Sequence, residues 1–408
     1  MDPAIAAWWA GQHAAAALAA GPTPALPASF DVTVSPREPL QAAIDRCRKG
    51  GSVLLLPGAY EGGVVLSKEV HLFGRGEATL LRTAGEGPVI TSTAPAATLD
   101  GLVVRLGLHA EGEEGNFGIL ITAGSLLVRH CDVCSLSEHC ISVVGASASP
   151  TILGCKVHGS SRAGVLFGQG SKGRVEGCDI ADNEDFGIFC EDAEPAIIAN
   201  KIHGSTMCGV CITGRAARLE RNQISQNGDS GVLISGGADP TLIANEIHSN
   251  KGSGVTISEA KGRLERNTLW GNGRGGIWVE ARGDPTLLGN TIRDHAGGNG
   301  VGVCVRGSAF GNVVWGGGNK LSGNALADLG GDDGEEAASM GAQPASSDPR
   351  LKGLAQDVLV PCPHAADGCP RDALHPADVG AHADTCDWRK VNVVCLGAFY
   401  ANPPVPLI

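Results

Sequence analysis

One repeat governs what this chain can fold into. The segments PTILGCKVHG (150–159), GRVEGCDIAD (173–182), PAIIANKIHG (195–204), ARLERNQISQ (217–226), PTLIANEIHS (240–249), GRLERNTLWG (262–271) and PTLLGNTIRD (285–294) align without gaps. They place Cys155, Cys178, Asn200, Asn222, Asn245, Asn267 and Asn290 in one column, at spacings of 23, 22, 22, 23, 22 and 23. Cys131 extends the column backward by 24. A second column holds Gly118, Cys140, Gly164, Gly187, Gly209, Gly231, Gly254, Gly276 and Gly300. Alternating apolar runs such as GVLF, GIFC and GVLI follow it. Alternation marks strands with one buried face.

A unit of this length holds two or three short strands and the turns between them, and leaves no room for a helix. The expected fold is all-β: a right-handed parallel β-helix in which each repeat is one coil and equivalent residues stack in ladders. Val157, Ile180, Ile202, Ile224, Ile247, Leu269 and Ile292 form the expected inner ladder. The Asn column is expected at a bend, with amides bonded coil to coil, because buried polar groups must be paired. The pattern runs from about Gly51 to Leu321. Before it, PLQAAIDRCRKGG (39–51) reads as an amphipathic helix that caps the open first coil.

The chain contains 14 cysteines, and their positions assign them to packing. Cys131, Cys155 and Cys178 take the ladder position that Asn takes later, and Cys140, Cys190, Cys211 and Cys304 lie on or beside strands. Buried free thiols act as small apolar groups and suit a reducing compartment. Coils also alternate in a longer period. Arg174/Glu176, Arg218/Glu220 and Arg263/Glu265 recur on every second coil, two residues apart and therefore on one outward face. Exposed pairs of this kind are worth about 0–1 kcal/mol each.

The net charge of −12 argues against sequence-independent nucleic-acid binding, which needs basic residues to neutralise phosphates. No apolar run reaches the ~18 residues of a membrane-spanning helix. A carbohydrate-cleaving site needs carboxylates with Arg or Lys on an outer face. The densest acidic stretch supplies Asp182, Glu184, Asp185, Glu191, Asp192 and Glu194, but most of these fall in expected turns. His158, His203 and His248 occupy equivalent outer positions. Aromatics are only 4%, which leaves Trp270, Trp278 and Trp315 as the platform on which a sugar could stack.

After Leu321 the repeat stops. Residues 326–358 are acidic and small, and read as a flexible linker. Residues 359–408 contain Cys362, Cys369, His382 and Cys386 in the pattern C-x6-C-x12-H-x3-C. Three thiolates and one imidazole suit a closed, structural zinc site with no position left for water. The zinc module is then too small to fold without its metal. His364 and His375 are spare candidates.

The two-coil alternation, each coil followed by GV or GI, resembles the β-helix region of the F-box-only proteins, which is carbohydrate-binding and sugar-hydrolase-like and shares the pectin-lyase-like fold. The residues before 39 are too short and Ala-rich for an F-box. The CPxxxxGC (362–369) and HxxxC (382–386) spacing resembles a TRAF-type zinc finger and implies protein binding, often in ubiquitin signalling. The organisation expected is therefore an extension at 1–38, the β-helix with its cap at 39–325, the linker, and the zinc module. The function expected is a non-catalytic, cytoplasmic adaptor that binds protein partners. The alternatives are a carbohydrate-active β-helix (lyase, hydrolase or epimerase) and a structural rod in a cytoskeletal or ciliary assembly.

Overall fold

The computed structural model describes residues 27, 29–74, 78–82, 87–107, 115–295, 300–306, 309, 312–325, 327–332 and 358–359. Two compact units make up the chain, Met1–Gly228 and Asp229–Ile408. Both are built of coils of three short strands. In the first unit the coil starting at Thr151 runs Thr151–Leu153, Lys156–His158 and Ala163–Gly168. Each strand pairs in parallel with its counterparts one coil before and one after. Thr151–Leu153 lies between Ser125–Arg129 and Lys172–Glu176, and Lys156–His158 lies between Asp132–Ser135 and Asp179–Ala181. Three parallel sheets result, called first, second and third in the order the coil visits them. The second unit repeats the scheme, with Lys261–Glu265, Thr268–Trp270 and Gly275–Glu280 as one of its coils. This is the β-helix the repeat predicts.

Burial follows the alternation. Val157, Ile180, Ile202 and Ile224 are fully buried in the first unit, as are Ile247, Leu269 and Ile292 in the second. The turn between first and second sheets is two residues, the first in the left-handed region: Gly154, Gly177, Ala199 and Arg221 in the first unit, and Ala244, Arg266 and Gly289 in the second. The glycine column has a different cause, close approach of coils. A Cβ on Gly187 would stand 2.5 Å from Ile202 Cγ2 and 2.6 Å from the Gly209 carbonyl oxygen.

The amide ladder is present. Asn222 Oδ1 accepts from the Asn200 backbone N–H at 3.0 Å, while Asn222 Nδ2 donates to the Ile197 carbonyl at 2.8 Å. Asn267 does the same in the second unit, accepting from Asn245 N–H at 2.9 Å and donating to the Leu242 carbonyl at 2.9 Å. Earlier coils substitute sulfur, and Cys155 N–H donates to Cys178 Sγ at 3.4 Å. A second ladder, not anticipated from the sequence, stands at the bend after the second sheet. There Ser205 N–H donates to Asn227 Oδ1, and Asn250 N–H donates to Asn272 Oδ1. The ten described cysteines are buried and form no disulfide with one another, as expected of thiols used for packing.

The cap is a short helix, α1 (Leu40–Arg46), with Leu40, Ala43 and Ile44 buried. It packs on Val32–Val34, a strand that the alternation did not reveal, and on Val64–Leu66. Gln41 answers the edge strand directly. Its Oε1 accepts from Val65 N–H at 2.8 Å, and its Nε2 donates to the Val65 carbonyl at 3.2 Å. An edge satisfied in this way cannot template another strand. Ala327–Asp332, in the stretch read as linker, pairs in parallel with Val301–Arg306. No described helix is long and apolar enough to cross a membrane.

Candidate active site

The second sheet of the first unit carries an ionisable face that includes two of the outer histidines. In each of its strands the middle residue points inward, so the first and third residues form two outward columns. The first column reads Val103, Asp132, Lys156, Asp179, Lys201 and Gln223. The other reads Arg105, Cys134, His158, Ala181, His203 and Ser225. Acids and lysines therefore alternate down one column, and histidines stand on every second coil of the other.

The columns interact on a diagonal. Asp132 Oδ1 meets Arg105 Nη1 at 2.7 Å and His158 Nε2 at 3.0 Å. Arg105 is only 2% exposed, and its Nη1 also donates to the Val104 and Asp132 carbonyls. Burial alone would raise the Asp132 pKa, but the His158 hydrogen bond and the Arg105 charge outweigh it and hold the carboxyl well below its usual range. Two coils on, His203 Nε2 meets Asp179 Oδ1 at 2.9 Å. This pair is open to solvent, with side chains 34% and 42% exposed. The Asp179 hydrogen bond raises the His203 pKa, and the same bond, with Lys156 and Lys201 nearby, lowers that of Asp179. No ion pair of Lys156 or Lys201 is found among the described residues.

Such a face can hold an anion on its lysines and move a proton through His203, an imidazole matched to near-neutral pH. No described hydrogen bond engages its Nδ1. Two of the outer histidines expected from the sequence, His158 and His203, fall on this face. The acids expected with them do not. Asp182 and Asp192 sit in left-handed turns, and Glu191 and Glu194 are exposed at strand ends. The acids that meet these histidines, Asp132 and Asp179, each directly follow a ladder cysteine, in CDVC and CDIA, with no local excess of acid to mark them. Reading the aligned repeats by column, rather than by local acidic density, would have found them.

In the second unit the third outer histidine, His248, stacks on Trp270 with ring centroids 4.2 Å apart and planes 14° apart. Arg293 lies over Trp270 at 5.5 Å. Trp278 has Arg274 at 3.9 Å and Arg306 at 5.0 Å, and Trp315 is buried. The tryptophans expected as a sugar platform thus already stack on the protein's own side chains or lie in the core. The outward Arg/Glu pairs close on themselves: Arg174–Glu176 at 2.7 Å, Arg218–Glu220 at 2.6 Å and Arg263–Glu265 at 3.0 Å. The expected zinc ligands Cys362, Cys369, His382 and Cys386 lie outside the described residues. Among the described residues no group of His, Cys, Asp or Glu is placed to hold a metal.

Comparison with known proteins identifies the fold. The family described as "Right handed beta helix region" matches residues 117–200 and 190–331. No curated protein sequence matches the chain. Among solved structures, the periplasmic alginate epimerase AlgG is similar over 74% of this chain and 81% of its own, at 16% identity and a TM-score of 0.50. The Dettilon tailspike protein is similar over 72% of this chain and 68% of its own, at 16% identity and a TM-score of 0.53. The Azotobacter vinelandii mannuronan C-5 epimerase AlgE6 A-module covers 70% of this chain and 94% of its own, at 18% identity and a TM-score of 0.49. These findings correct the adaptor expectation. It rested on the buried free thiols and on the protein binding implied by the TRAF-type spacing at 362–386. One face of the first unit instead brings Arg105, Asp132, His158, Asp179 and His203 together as ion pairs, and the fold is shared with the alginate epimerase AlgG. The carbohydrate-active alternative is the better-supported reading.

Proposed function

We propose, because this chain belongs to the right handed β-helix family, that its second-sheet face acts on an acidic polysaccharide by removing a proton beside a uronate carboxylate. The observation that carries this is the solvent-open Asp179–His203 pair, flanked in the same sheet by two lysines that form no ion pair among the described residues. A carbon-bound proton next to a carboxylate becomes removable when a cation neutralises that carboxylate, and Lys156 or Lys201 supplies the charge. Neutral His203 takes the proton and becomes imidazolium beside ionised Asp179, while the C–H electron pair moves into the carboxylate as an enolate. Return of a proton from water to the opposite face inverts the carbon, and the His203 imidazolium gives its proton up to solvent. Loss of the 4-oxygen, which takes up a proton, cleaves the chain instead.

Hydrolysis fits less well. It requires one carboxyl that stays protonated near neutral pH. Asp132 and Asp179 are both held below the usual carboxylate range. The test is incubation of the full chain with polymannuronate and with polygalacturonate in deuterated water. Inversion reads as deuterium at C5 by NMR, and elimination as ultraviolet absorbance from unsaturated chain ends. The expected result is one of the two from wild type and neither from Asp179→Asn or His203→Gln. Wild type that produces neither on either polymer removes the reading.

Cys362, Cys369, His382 and Cys386 stay our proposal for a structural zinc, supported by their spacing. One zinc per chain by elemental analysis, absent from the Cys362→Ser/Cys369→Ser variant, is the expected result. Metal-free wild type refutes it.

A further inference from the structure

Resting on the reading above, we infer that Lys156 and Lys201 determine specificity by gripping two anionic groups of one glycan chain, two sugars apart. The register sets the spacing. Lys156 stands opposite Asp179, and Asp179 opposite Lys201, in parallel register. The two lysines therefore rise from strands two apart, ~10 Å, or twice the ~4.8 Å between neighbours. An extended 1,4-linked pyranose advances by about one strand spacing. A chain laid across the strands puts one sugar on each coil.

Both lysines remain available because the carboxylates beside them are engaged by the other column. Asp132 is held by Arg105 and His158, and Asp179 by His203. Asp179 makes the middle position hostile to a second carboxylate, since its own charge is fixed by that bond. The ligand must therefore turn toward the sheet one anion, then a neutral edge, then one anion. Two acidic glycans have that face. One alternates a uronate with a neutral sugar. The other is a polyuronate with a twofold twist, whose alternate carboxylates point away from the sheet. The outer Arg/Glu pairs do not offer an equivalent grip, because each arginine is already bound to a glutamate on its own strand.

The test is calorimetric titration of the full chain with three hexasaccharides: an alternating uronate–N-acetylhexosamine, an oligomannuronate and a neutral 1,4-glucan. Both acidic ligands, or the alternating one alone, are expected to bind, and the neutral one is not. Lys156→Gln and Lys201→Gln are each expected to weaken binding roughly fivefold, an effect that fades in high salt. A disaccharide carrying one carboxylate reaches one lysine at a time, so either single substitution weakens it little and only the two together remove its binding. The variant Lys201→Gln/Gln223→Lys moves the outer cation one coil further and is expected not to restore affinity. Preference for the alternating ligand identifies a disaccharide-repeat glycan, and equal affinity identifies the twofold polyuronate. Lysine variants that bind as tightly as wild type, or full recovery in the shifted variant, overturn the inference while turnover by wild type keeps the proposed function. Wild type that neither binds nor turns over an acidic glycan overturns both.

Discussion

The second sheets of the two units make opposite use of the same residue type at the same position. His203 of the first unit and His248 of the second each close a strand of nearly identical sequence, KIH and EIH. His203 is bonded to a carboxylate from the coil before it and has a raised pKa. His248 lies flat against Trp270 from the coil after it, and burial there lowers its pKa. A position in a β-helix coil sets the direction of a side chain. Its chemistry comes from the coils above and below. The first unit stacks Asp, Lys and His into an ionisable face, and the second stacks His, Trp and Arg into a closed one.

The comparison can be broken most decisively through catalysis. His203→Gln is expected to lower turnover of the acidic glycan by about 10²–10⁴-fold, while His248→Gln leaves it unchanged. Equal losses in both variants would mean that the faces are not distinct. Next in size is the buried charge behind the site. Arg105→Met leaves Asp132 half-paired away from water, and is expected to cost about 3–5 kcal/mol in denaturant unfolding. Arg293→Met removes a cation from a tryptophan face and an exposed ion pair with Asp294 in the second unit, at about 1 kcal/mol or less.

The ladders sharpen the contrast further. Asn267→Ala orphans the Asn245 N–H and the Leu242 carbonyl, at about 2–4 kcal/mol. Cys155→Ala in the first unit loses mainly apolar volume, at about 1 kcal/mol. The smallest effect is in pH. An unfolded-chain histidine titrates near ~6.5. His203 holds its proton above that value, so its contribution to stability is complete below ~6.5 and is lost as pH rises through the folded pKa. His248 has the opposite sign, and its burial destabilises the fold as pH falls below ~6.5 toward its own lowered pKa. Imidazole titrations followed by NMR should place the two on either side of ~6.5.

Much of the fold was legible because burial is a property of single columns. Val157, Ile180, Ile202 and Ile224 announce an inner ladder wherever the repeats are aligned. Asn200 and Asn222 announce a bend, since only a stacked neighbour satisfies a buried amide. The second ladder was less legible because its members vary among Ser, Asn and His, and no single residue type marks it. The site was half legible. His158 and His203 stood out as outer histidines. Their partners did not, because Asp132 and Asp179 lie in strands with no local excess of acid, while the conspicuous acids at 182–194 fall where solvated turns are cheap.

The sequence by itself determined the period, the stacking of one repeat per coil and which residues face inward. Each of these follows from apolar alternation and from turn residues within one repeat. Only the tertiary structure decided which charges meet. Asp179 and His203 are 24 residues apart and lie in different columns. They touch because parallel register places consecutive coils one strand spacing apart, and a side chain of that reach can lean across the diagonal. That diagonal belongs to a pair of coils, so no single repeat contains it.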